Sequence, residues 1–184
     1  MNKRVLIPLA HGCEELEAVT LIDLMRRAGI DVVSAGLEPG PVTASRGVVL
    51  VPDVLLDAVL DHPFDMIVLP GGLPGTERLR KDPRIATLLR RLAAEGKFVT
   101  AICAAPAVLA ANGLLDGRRA TAYPGVLEGL HLERVEILAQ PVVADGQVIT
   151  SRGPGTAMDF ALDLIERLVD RSCRATVEAA LQRP

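Results

Sequence analysis

Four segments of this sequence carry side chains or backbone suited to chemistry. In Ala101-Ile102-Cys103-Ala104-Ala105-Pro106, an apolar strand pattern runs into a helical one without a loop, and a thiol sits on the joint. This is the plan of a nucleophile elbow, a sharp strand-to-helix turn that exposes one side chain. The small residues at 101, 104 and 105 leave the turn room. Free N–H groups and the partial positive charge of a helix N-terminus would favour thiolate over thiol. A buried structural cysteine is the competing explanation, because cysteine is among the residues most often buried.

The second segment is Gly12-Cys13-Glu14-Glu15-Leu16-Glu17. Acids in a first helical turn ordinarily serve the helix dipole. One of them beside Cys103 would do more. Ionised, it would oppose a thiolate; protonated, it would donate a hydrogen bond to sulfur and pass a proton to a substrate. Burial raises a carboxyl pKa and brings that state near neutral pH. Spacing alone leaves Glu14, Glu15 and Glu17 open for this role. The third segment, Pro70-Gly71-Gly72-Leu73-Pro74-Gly75, reads as a turn whose N–H groups, together with that of Ala104, could form an oxyanion hole. The fourth is Ser151-Arg152-Gly153-Pro154-Gly155-Thr156. It is no dinucleotide loop, since residue 158 is Met and no βαβ unit follows. It caps the last long helix and leaves Arg152 available for charge work. His11 could reach the site from the end of the first strand. Cys13 reads as a packing residue, and Cys173 has no partner motif. No CxxC or HxxxH spacing suggests a metal, and no Walker A loop is present.

These segments must be positioned by an alternation of strands and helices. Strands are expected at Arg4 to Leu9, Asp31 to Ala35, Asp65 to Leu69, Lys97 to Ile102 and Gln147 to Thr150, with one or two short ones around the Ser45-Arg46-Gly47 turn. A helix is expected from Glu14 to Ala28, its apolar face made of Leu16, Val19, Leu21, Ile22 and Met25. Others run from Asp82-Pro83 to about Glu95, from Ala104 to Ala111, from Thr156 to Val169 and from Ala175 to Leu181. Short strands are expected within Gly113 to Gln140. This order predicts one α/β domain over residues 1–184, a flavodoxin-like doubly wound sandwich with a mainly parallel sheet and helices on both faces. Ligands of such sheets bind beyond the carboxyl ends of the strands, where the four segments fall.

Composition narrows the function. The 184 residues are 49% hydrophobic and 23% charged, which excludes disorder. A formal charge of -3 and 2% aromatics give no reason to expect a nucleic-acid partner. Phe98 to Ala111, the densest apolar stretch, is too short to span a membrane, and Asn2-Lys3-Arg4 leads into too brief an apolar run for a signal peptide. Three widely spaced cysteines suit a reducing compartment, so a cytoplasmic protein is expected.

The segments AHGCEELEAV, DLMRRAGI, SRGV, VLPGG, AICAAP and TSRGPGTAMDFAL, in this order over nearly the whole chain, resemble the ThiJ/PfpI superfamily. The branch is that of the Parkinsonism-associated deglycase (DJ-one) and bacterial relatives such as YajL. The resemblance implies the flavodoxin-like sandwich, a homodimer, Cys103 as nucleophile, Glu17 against its sulfur, and the N–H groups of Gly72 and Ala104 lining an oxyanion pocket. It places Arg46 and Arg27 near the dimer interface and the site, and Arg152 in the SRGPGT block. Two departures matter. Protease-like members carry His directly after the cysteine, where this chain has Ala104, so peptidase activity is not expected. Some members of the branch carry an acid/base His where this chain has Tyr123, and a phenol is a poor proton acceptor at neutral pH. The family's accessory cysteines are Ala44 and Val51 here. The function implied is cofactor-free action on reactive carbonyls, methylglyoxal or glycated adducts, with protection against oxidative stress. The alternative is a redox sensor or redox-regulated chaperone in which peroxide takes Cys103 to sulfinic acid without turnover.

Overall fold

The computed structural model describes residues 3–183; the outermost positions of the expected 1–184 domain lie outside the described residues. Strands form at β1 (Arg4–Leu9), β2 (Asp31–Gly36), β3 (Val42–Thr43), β4 (Val49–Leu50), β5 (Val54–Leu55), β6 (Met66–Leu69), β7 (Phe98–Ile102), β8 (Arg119–Ala120), β9 (Glu136–Ile137), β10 (Val142–Asp145) and β11 (Val148–Ser151). Helices form at α1 (Glu15–Arg27), α2 (Leu73–Lys81), α3 (Pro83–Ala94), α4 (Pro106–Ala111), α5 (Ala157–Leu168) and α6 (Arg171–Ala180). The main sheet has the order β10-β11-β7-β6-β1-β2-β5 and is parallel except where β10 meets β11. The expected mainly parallel flavodoxin-like sandwich is therefore present.

Strand alternation divides the core. Val5, Ile7 and Leu9 of β1 point to a layer with Leu21 and Met25 of α1 and with Phe160, Ala161 and Ile165 of α5. Leu6 and the β6 residues Ile67 and Leu69 point the other way, to Leu79 of α2, Leu88 and Leu92 of α3 and Leu109 of α4. Both faces of β6 are thus buried, which explains its unbroken apolar run. Asp82 caps α3, its carboxylate accepting the Arg84 N–H at 2.9 Å, as the Asp-Pro pair predicts.

Two expectations need correction, and two further strands join the sheet. Leu73–Lys81 is a helix, although Pro74 and Gly75 read as turn residues. Pro74 stands in the first turn, where a missing N–H costs nothing. The C-terminal strand gains an antiparallel partner, β10, turning back at Asp145-Gly146, and Gly146 takes the positive φ of 61° that such a turn requires. The short β5 closes the far edge of the sheet. On α1, Leu16 and Val19 are 51% and 47% exposed, and the core side is made by Ala18, Leu21, Leu24 and Met25. The helix carries two apolar stripes, and only one faces this core.

Candidate active site

The carboxyl ends of β1, β6, β7 and β11 bring all four segments to one cavity of about 600 Å³, walled by residues that include Glu14, Ser45, Arg46, Gly72, Cys103, Ala104, Tyr123 and Pro154. Cys103 follows β7 directly with φ of +65°. That left-handed backbone is strained for a residue bearing a Cβ and persists only where neighbours hold it. Two neighbours do so: the Cys103 N–H donates to the Ser151 carbonyl at 3.0 Å, and its own carbonyl accepts the Tyr123 N–H at 2.9 Å. The elbow is real, but its helix begins later than expected. Residues 103–105 form a turn, and α4 starts at Pro106 and runs for only 6 residues.

Glu17 is the acid that reaches this point. It is fully buried, and its Oε2 accepts the Gly71 N–H at 2.8 Å. Its Oε1 is buried without a hydrogen-bond partner. The other two acids have different work. Glu15 clasps the β3–β4 hairpin, accepting the Arg46 N–H at 2.8 Å and the Ser45 hydroxyl at 2.9 Å. Although burial opposes ionisation, its own N–H and those donors hold the Glu15 carboxyl below the ordinary value. Glu14 lines the cavity, with Oε2 2.8 Å from the Ser45 hydroxyl.

The glycine pair does more than make a turn. A Cβ on Gly71 would lie 2.6 Å from Cys103 Cβ and 2.8 Å from Glu17 Oε2. Only glycine lets acid and thiol approach from either side of that backbone. Gly72, with φ of +85°, ends the turn as the N-cap of α2, and a Cβ there would meet Glu14 N at 2.6 Å. Gly71→Ala is therefore expected to cost roughly 1–3 kcal/mol by overpacking and to separate Cys103 from Glu17. Thermal unfolding together with the pH profile of Cys103 alkylation checks this. Unchanged values for both would contradict the close approach.

The electrostatics correct one expectation. A long helix dipole does not stand behind the sulfur. Burial and then the Glu17 charge push the Cys103 thiol up to about 12, against the N–H groups of Gly72 and Ala104, which favour its charge. Burial pushes Glu17 up to about 7, with the Gly71 N–H and the Cys103 thiol pulling it down. Acid and thiol therefore titrate as a pair, which loses one proton near neutrality and the second only in strong alkali. The singly protonated pair is a carboxylate beside a thiol, and passing the thiol's proton to the carboxyl makes the thiolate.

The remaining sequence candidates divide. Arg46 and Tyr123 line the cavity. Arg27 sits exposed on the last turn of α1, ion-paired with Asp23 at 2.8 Å. Arg152 is not among the cavity residues; its Nη1 lies 3.5 Å from the Ala139 carbonyl. His11 accepts the Thr43 N–H through Nδ1 at 3.0 Å and so helps pin the hairpin. Cys13 is buried, and burial followed by the Glu15 charge pushes its thiol up to about 11, as its reading as a packing residue requires. Among the described residues, no three His, Cys, Asp or Glu side chains cluster to hold a metal ion, and no helix is long and apolar enough to cross a membrane. Sequence reasoning missed the clasp made by Glu15 and Ser45, which no local spacing signals.

Comparison with known proteins gives the family and the fold. A model of the DJ-1/PfpI family matches residues 3–167. "Protein DJ-1 homolog A" of Arabidopsis thaliana is 42% identical over 98% of this chain and 46% of its own length, so the chain spans about half of that plant protein. "Glutathione-independent glyoxalase DJR-1.2" of Caenorhabditis elegans is 38% identical over 89% of this chain and 87% of the worm protein. The crystal structure of Drosophila melanogaster DJ-1beta matches with a TM-score of 0.96 and 40% identity, covering 100% of both chains.

Proposed function

From the premise that this chain belongs to the DJ-1/PfpI family, we propose that it converts reactive carbonyls, methylglyoxal or glycated adducts, to hydroxy acids without a cofactor. The observation that carries this reading is the buried Glu17 carboxyl at the Cys103 elbow, one oxygen held by Gly71 and the other unpartnered. The thiolate adds to the aldehyde carbon, and the oxyanion forms where the N–H groups of Gly72 and Ala104 converge. Glu17 takes the proton from the former aldehyde carbon and returns it to the keto carbon, leaving a thioester of lactate. Water then releases lactate and restores the thiol. The glyoxalase name of the worm relative supports this chemistry. No imidazole stands at Tyr123 or Ala104, so both proton transfers fall to Glu17. Ala104 after the sulfur leaves no adjacent imidazole, and the reading assigns no peptidase activity.

The test is to incubate pure protein with methylglyoxal and no added thiol or metal, and to follow lactate by NMR. Lactate at a rate proportional to protein is expected; lactate no faster than in buffer removes the reading. A second reading, oxidation of Cys103 by peroxide in a stress-sensing role, draws on the same free Oε1, which can hold one oxygen of a sulfinic acid. Mass spectrometry after mild peroxide supports it if two oxygens appear on Cys103, and removes it if they appear on Cys13 or Cys173 alone.

The reading includes a cytoplasmic homodimer of single-domain chains. The odd set of free cysteines supports the compartment. The outward stripe of α1 supports the dimer: Leu16 and Val19 are exposed, as are Val49 at 60% and Val51 at 78% on the neighbouring hairpin segment. Light scattering is expected to give twice the chain mass at micromolar concentration, and Leu16→Lys with Val49→Lys to halve it. A wild-type monomer would contradict the dimer.

A further inference from the structure

Aromatic side chains are scarce here: three Phe, one Tyr and no Trp. Phe64 and Phe160 are in the core and Phe98 is half-buried. Tyr123 is 53% exposed, and it stands in the wall of the Cys103 cavity. Two contacts fix it there. Its N–H is bonded to the Cys103 carbonyl, and its ring lies on Gly153, where a Cβ would come within 3.3 Å of Cδ2. The ring is thus tied by one backbone bond to the nucleophile's own residue and backed by bare main chain. Leu73, 71% exposed, and Pro74 belong to the same cavity. The volume of about 600 Å³ is of the size that holds drug-sized molecules, far more than methylglyoxal needs.

We infer that Tyr123 is a specificity-determining wall that stacks on the substituent of the substrate. The 2-oxoaldehyde this cavity takes best carries a flat apolar group: an aryl glyoxal rather than methylglyoxal. The inference rests on the carbonyl reading and extends it to a substrate class. The reaction balances without an external oxidant or reductant. The thiolate adds to the aldehyde carbon, that carbon's C–H bond breaks with its proton passing through Glu17 to the keto carbon, and one water cleaves the thioester. The aldehyde carbon is oxidised and the keto carbon reduced within one molecule, so phenylglyoxal plus water gives mandelate. Tyr123 contributes stacking in this scheme and no proton.

The test compares kcat/KM for phenylglyoxal and methylglyoxal, read as mandelate and lactate by NMR. A preference for phenylglyoxal of roughly tenfold is expected from one well-placed aromatic contact. It should persist in Tyr123→Phe and fall to near one in Tyr123→Ala, mainly through a raised KM for phenylglyoxal. A wild-type ratio of one or less, or a preference kept in Tyr123→Ala, overturns the inference. A binding measurement separates its failure from that of the carbonyl reading. In Cys103→Ser, which needs no turnover, mandelate should bind more tightly than lactate, and adding Tyr123→Ala should abolish the difference. That result supports the stacking wall even if neither aldehyde is converted, in which case the carbonyl reading alone fails. Equal affinities in Cys103→Ser overturn the wall.

Discussion

Replacing Cys103 by Ser is expected to lower lactate formation from methylglyoxal by roughly 10⁴-fold, the scale seen when a covalent nucleophile is removed. A serine hydroxyl fits the space of the thiol but ionises far less readily. Burial and the Glu17 carboxylate, which already oppose charge on sulfur, would keep an alkoxide out of reach. Glu17 and the N–H groups of Gly72 and Ala104 remain, so the residual rate measures what they do without covalent chemistry. The fold should survive. Cys103 is only partly buried, and the backbone bonds to Ser151 and Tyr123 do not involve its side chain. Circular dichroism and the unfolding midpoint check that the loss is chemical. A variant that keeps a tenth or more of the wild-type rate would remove Cys103 from the reaction.

The element order and the elbow were legible because both are local signals. An apolar run meeting a row of small residues marks a strand entering a helix, and the thiol at the junction is visible by position. β10 was missed, although the Asp145-Gly146 turn that joins it to β11 is as local a feature. What could not be read from spacing is what depends on approach through space. The three acids of GCEELE are separated by one or two positions. Only the fold sends Glu15 to the hairpin 30 residues on and Glu17 to Gly71, 54 residues away. Family resemblance named Glu17, but the reason for Gly71 lies in the Cβ that the site has no room for. The expectation that a helix dipole would ionise Cys103 failed for a similar reason. Burial and a neighbouring carboxylate are tertiary facts, and here they outweigh the end of a six-residue helix.

The acid that makes the pair work can be tested with a readout of opposite sign for rate and stability. Glu17→Gln keeps the side-chain shape and an acceptor for the Gly71 N–H, but it cannot carry a transferable proton. Lactate formation should fall roughly 10²–10³-fold, within the range for loss of a positioned acid–base group. In the wild type, the pair sheds its first proton near the value of about 7 to which burial raises Glu17. Activity should therefore rise with pH through neutrality and decline only in strong alkali. In the variant, the carboxylate charge that opposes ionisation of the sulfur is gone, so the alkylation midpoint of Cys103 should move downward from the wild-type position. Stability should move the other way. Folding raises the carboxyl from 4.5 to about 7, so between those values the native state holds a proton that the unfolded chain has released. Wild-type stability therefore falls as pH rises across that window. Above pH 7 the buried charge costs on the order of 3 kcal/mol, a cost that Gln removes. The variant should unfold at a higher temperature than the wild type at pH 8 and show little advantage at pH 4. A variant no more stable at pH 8, with an unshifted alkylation midpoint, would mean that Glu17 is not the proton reservoir of this site.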